Sequence, residues 1–105
     1  MRYEKIVFDI LKNEKKLSDW RVQRDYAINV NAVYNAEIIT KAMNKAMELK
    51  AKIPKILEKY NLDNELEIID LDYIEKKINE YERINDKKAN IYKQLREEIL
   101  KELYE

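Results

Sequence analysis

The hydrophobic positions of this chain fall into stripes of helical period, and the clearest of them runs from Tyr26 to Ile53. Along it Ile28, Ala32, Asn35, Ile39, Ala42, Ala46, Leu49 and Ile53 recur at alternating steps of four and three residues. That alternation keeps one side of a helix against the same neighbour over many turns, which neither a strand nor a loop would preserve. The small side chains of Ala32, Ala42 and Ala46 permit a second helix to approach closely. Residues Ile28, Ala32, Asn35, Ile39, Ala42, Ala46 and Leu49 are therefore the expected helix–helix or dimer seam. Nothing in the interval is a strong breaker, so one helix from about 19 to 52 is predicted; the Asn29, Asn31 and Asn35 cluster is its weakest part.

Ahead of it, Tyr3, Ile6, Val7, Ile10 and Leu11 share one face and predict a short amphipathic helix at 2–16. Lys15 and Lys16 suit its C-terminus, and Ser18 is the expected N-cap of the long helix, with Leu17 stapled onto Val22. Pro54, the single proline, would lose a hydrogen bond deep inside a helix, so the long helix is expected to end near Lys52 and a short one at 54–61 to begin on the proline. Asn61 to Asn64 reads as a turn, and residues 65–70 are open between a helical turn and an extended connector.

The last helix has two possible starts. Asp72 with Glu75 forms a capping box, and Asp70 forms a cap with Ile69 and Ile74 as its staple. Ile74, Ile78, Tyr81, Ile84, Ile91, Tyr92, Leu95, Ile99 and Leu103 then trace a stripe to the C-terminus. Only Asn85 to Lys88 interrupts it, and without proline or glycine there a continuous helix at 71–104 is predicted. The expected fold is all-α: a helical bundle with coiled-coil packing, one domain over 1–105, built on two long antiparallel helices (about 19–52 and 71–104) with short helices at 2–16 and 54–61. Two short helices cannot cover both flanks of so long a pair. Some of Val33, Tyr34, Ile38, Met43, Met47, Tyr81 and Tyr92 should remain open to a partner, and a homodimer is expected.

Composition narrows the chemistry. The 105 residues include no His, Cys or Gly. Without His and Cys there is no Cys/His zinc site, thiol nucleophile, Ser-His-Asp triad or disulfide. Without Gly there is no P-loop, dinucleotide fingerprint or glycine helix stop. The abundance of Lys, Ile, Asn, Tyr and Glu also matches A+T-rich codons. The chain reads as non-enzymatic, with no cofactor and no catalytic or metal-binding residue assigned.

Charge balances at 21 basic and 21 acidic residues but is unevenly spread. Residues 41–60 carry six lysines (41, 45, 50, 52, 55 and 59) against Glu48 and Glu58, a net +4; residues 61–82 carry eight acids against Lys76 and Lys77, a net −6. The two stretches are expected to cancel if they fold side by side. Otherwise Asp70, Asp72, Tyr73, Glu75, Glu80, Tyr81 and Glu82 make a docking surface for a basic protein partner. Nucleic-acid binding through the 41–60 lysines is the first alternative, and the small basic-aromatic cluster of Trp20, Arg21, Arg24 and Tyr26 is diluted by Asp19 and Asp25. A magnesium-dependent helical hydrolase using Glu37, Glu97, Glu98 and Glu102 is the second. The carboxylate spacings behind it arise by chance on any Glu-rich solvated helix.

No apolar run approaches the ~20 residues that span a bilayer, and Met1 to Lys5 already alternate charge with helix-periodic hydrophobes. A cytoplasmic protein with no membrane partner is expected. The function expected is a helical protein-interaction module that self-associates and occupies a surface on another macromolecule, as a phage or mobile-element inhibitor or adaptor of a host factor would.

Overall fold

The computed structural model describes residues 3–63 and 70–105. Among these residues the chain is an all-α helical bundle without strands: α1 (Tyr3–Lys12), α2 (Lys15–Asn29), α3 (Val33–Lys59), α4 (Leu71–Arg83) and α5 (Lys88–Tyr104). They gather into two compact units, Met1–Lys50 and Ala51–Glu105. Helix α3 runs through the division.

Neither long helix of the sequence reading is continuous. The segment expected as 19–52 is parted at residues 30–32, and the one expected as 71–104 at residues 84–87. Both interruptions, and the end of α3, share one device. Asn31, Asn61 and Asn85 take φ values of 59°, 59° and 55°, the left-handed region. Behind each, the next N–H donates to the carbonyl five residues back: Ala32 to Ala27, Leu62 to Leu57 and Asp86 to Tyr81, each at 2.8 Å. The asparagine N–H donates three residues back, to Ile28, Glu58 and Glu82 at 3.0–3.1 Å. This paired pattern is the Schellman stop, normally built on glycine. Asparagine pays less than other side chains for left-handed backbone, so it supplies the stop in a chain that has no glycine. We expect Asn85→Ala to lower stability by about 1 kcal/mol and Asn85→Gly to leave it level or slightly raised. Urea midpoints measure this, and an Ala variant as stable as wild type would refute the left-handed turn.

Helix starts are equally local. The Oδ1 of Asn13 accepts from the N–H of Lys15 (3.1 Å), so α2 begins there and not at Ser18, which is interior and exposed. The expected Leu17–Val22 staple does not form a core either, because Val22 is exposed. Asp70 is the cap of α4, accepting from the N–H of Asp72 at 3.0 Å. Asp72 is therefore a first-turn residue, and the Ile69 half of the staple lies outside the described residues. Asp86 accepts from the N–H of Lys88 at 2.9 Å and starts α5. Pro54 does not begin a helix at 54–61; it lies inside α3. The acceptor it leaves without an N–H is the carbonyl of Lys50, at the division between the units.

In the N-terminal unit α1 packs on α2. Ile6, Val7, Phe8 and Ile10 of α1 are buried, as are Ala36, Ile39, Ala42, Met43, Ala46 and Leu49 of α3. In the C-terminal unit α4 and α5 form an antiparallel pair: Glu75 meets Arg96 and Glu82 meets Lys93, while the rings of Tyr81 and Tyr92 stack at 5.6 Å. The tail of α3 joins them through Lys52–Glu102 (3.0 Å) and Lys59–Glu98 (3.2 Å). Ile53, Ile56, Leu57, Ile74, Ile78, Ala89, Tyr92, Leu95, Ile99 and Leu103 are buried. Each large apolar side chain so placed contributes about 1.5–3 kcal/mol of transfer free energy.

Candidate interaction surface

Helix α2 is the element whose apolar side chains stay outside. Ala27 is the one buried residue it contributes among the described residues. Val22, Tyr26, Ile28 and Val30, together with Val33 and Tyr34 at the start of α3, are each more than half exposed. These six fall within residues 22–34, around the stop at Asn31. A groove of about 590 Å³ lies at this corner, with Ile28, Val33 and Ala36 as its apolar lining and Glu37, Thr40 and Lys41 along its α3 side. The Thr40 hydroxyl donates to the Ala36 carbonyl (2.8 Å), so no polar group is stranded there.

The expected seam divides at this point. Ile39, Ala42, Ala46 and Leu49 are buried, whereas Ile28 and Asn35 are exposed and Ala32 is half-buried. Ile28 belongs to α2, Ala32 to the corner and the rest to α3, so the stripe does not run along one helix. Of the side chains expected to stay open, Val33, Tyr34 and Met47 do; Ile38 and Tyr81 are half-buried, and Met43 and Tyr92 are buried.

The acidic stretch is tied up locally. Glu75 pairs with Arg96, Glu82 with Lys93 (3.5 Å) and Glu80 with Lys77 (3.5 Å). Asp70 is occupied as a cap and Asp72 is exposed. Tyr73 and Tyr81 are half-buried, each with a lysine ammonium over its ring: Lys77 at 5.5 Å and Lys88 at 5.6 Å. The partners of these acids thus come from α4 and α5, and not from the 41–60 lysines as expected. Those lysines have their own: Lys45 meets Glu48 (3.2 Å), Lys50 meets Glu14, Lys52 meets Glu102 and Lys59 meets Glu98. Glu65 and Glu67 lie outside the described residues.

One polar cluster ties the tail of α3 to α5. The Tyr60 hydroxyl donates to Glu98 Oε2 at 2.7 Å, with Lys59 Nζ on the same carboxylate. That bond, with burial and the neighbouring negative charge, pushes the tyrosine hydroxyl up to about 12. The same bond, with Lys59 beside it, holds the Glu98 carboxyl below its ordinary value. Among the described residues no three Asp or Glu side chains gather closely enough to hold a metal ion. In the early basic-aromatic cluster, Arg24 is turned onto Asp25 (3.4 Å), Trp20 is half-buried, and Arg21 and Tyr26 are exposed. No described helix is long and apolar enough to cross a membrane.

The residues that sequence reasoning missed are Val22, Val30 and Tyr26 as an exposed group. Their signal was present: α2 carries apolar side chains around much of its circumference without a consistent stripe, and a helix like that cannot bury them all on one neighbour. No protein-family profile, curated protein or solved structure matches the chain.

Proposed function

We propose that the protein is a non-enzymatic, intracellular protein-interaction module whose docking surface is the α2–α3 corner. The observation that carries this is the set of six apolar side chains exposed at 22–34 beside the 590 Å³ groove. Exposed tyrosines such as Tyr26 and Tyr34 are the usual anchors of a protein partner, and the aliphatic side chains beside them exclude water from such contacts. An inhibitor or adaptor that works by covering a surface needs no more chemistry than this. The internal pairing of the α4 acids and of four of the six lysines at 41–60 favours the corner over either charged stretch, because an ion pair must be given up before its members meet another molecule.

A photo-crosslinking amino acid at position 34, with a control at exposed Gln94 on α5, tests the reading in cells. Position 34 should form discrete protein adducts, with the chain itself or with another protein, and position 94 should not. Equal adduct patterns at the two positions would remove the corner as the docking surface.

A further inference from the structure

Resting on the proposed docking surface, we infer that its occupant is a second copy of the chain, seated by antiparallel two-fold packing of α3 on α3. The buried side of α3 is already used, but a second side, about a third of a turn round the helix, carries another stripe with the same four-three spacing: Val33, Glu37, Thr40, Asn44 and Met47. All are exposed except Thr40, which is half-buried. The stripe is symmetric about its centre. Its apolar ends, Val33 at 63% exposure and Met47 at 50%, each lie seven residues from Thr40. Two such helices crossing antiparallel at Thr40 bring Val33 of one copy onto Met47 of the other, and the same contact repeats on the far side, as a two-fold interface requires.

Charge falls into the same symmetry. Glu37 and Lys41 lie on one flank of the stripe, and in an antiparallel pair like flanks face each other, so each Glu37 meets the other copy's Lys41. Two opposite-sign contacts form where a parallel arrangement would not repeat them about one axis. Thr40 at the crossing is small and its hydroxyl is satisfied within its own helix, so the axis buries no unpaired polar group. Val33 and Met47, both at least half exposed, are the apolar anchors that this crossing would cover on each copy.

Sedimentation velocity across a concentration series tests the pairing with exposed-site variants whose helicity is checked by circular dichroism. Wild type should dimerise. Glu37→Lys and Lys41→Glu should each weaken self-association about tenfold, since each creates two like-charge contacts. An equimolar mixture of these two variants should form a heterodimer, and the double variant Glu37→Lys/Lys41→Glu should recover the homodimer. A mixture no tighter than its components, or a wild type monomeric at every concentration, overturns the inference. A monomer that still gives position-34 adducts with a different protein leaves the docking surface standing. Loss of both the dimer and the adducts removes both.

Discussion

Ala42→Glu should cost the protein more than about 4 kcal/mol and leave most of it unfolded. Ala42 has no solvent exposure, and its methyl sits on the face of α3 that also buries Ile39, Ala46 and Leu49. A glutamate there either carries its charge out of water, which costs several kcal/mol without a partner, or forces the neighbouring elements apart to reach solvent. A domain of this size has about 5–15 kcal/mol in total. Ala51→Glu, the same substitution at an exposed position of α3, is the matched control and should change stability by no more than about 0.5 kcal/mol. Lys45 is a poorer control than its place in the sequence suggests, because its side chain is largely covered and paired with Glu48. Guanidinium unfolding followed by circular dichroism separates the variants. Equal midpoints for Ala42→Glu and Ala51→Glu would mean that the buried face of α3 is misassigned.

Leu95→Ala probes the other unit and should lower stability by about 3–4 kcal/mol. Leu95 is completely buried on α5, one turn beyond Tyr92, whose own ring is stacked on Tyr81. Truncation removes the transfer free energy of three carbons and leaves a cavity that the rigid, stacked neighbours cannot close. At 4–8 °C per kcal/mol for a domain of this size, the melting temperature should fall by roughly 12–30 °C. Ile91→Ala on the same helix loses a comparable side chain that is already 37% exposed, and its cost should stay near 1 kcal/mol. Calorimetry of the two variants checks the ordering, and an Ile91→Ala loss as large as that of Leu95→Ala would refute the assignment of the buried face of α5.

The helical class and most of the buried residues were legible in the sequence, because a stripe of period 3.6 records burial directly. Ile6, Val7, Ile10, Ile74, Ile78, Leu95, Ile99 and Leu103 were all placed on core-facing stripes and all are buried. Asp70 was legible as a cap for the same reason: its side chain acts on a backbone group two residues away. The helix ends were not. Stripes at 19–52 and 71–104 continue in phase across Asn31 and Asn85, and the absence of glycine was read as the absence of a stop. The signal that marks the second stop is the Asn85-Asp86 pair, in which the first residue turns left-handed and the second caps the next helix. Proline misled in the opposite direction. Pro54 removes one hydrogen bond, and the remaining bonds and buried side chains of α3 hold the helix together across it. The candidate surface was half legible: Val33, Tyr34 and Met47 were foreseen, but their geometry depended on the corner that the asparagines make.

Those asparagines also set a chemical clock on the protein. Each of Asn31, Asn61 and Asn85 is exposed and stands just past the C-terminal end of a helix. Loss of the side-chain amide with heat or age turns a neutral residue into an anion at the negative pole of the helix dipole. An opposed charge in that position costs about 0.3–1 kcal/mol, and here it would fall on all three corners that define the fold. A glycine in the same places would carry no amide to lose. The chain has exchanged that durability for a stop written in a different residue.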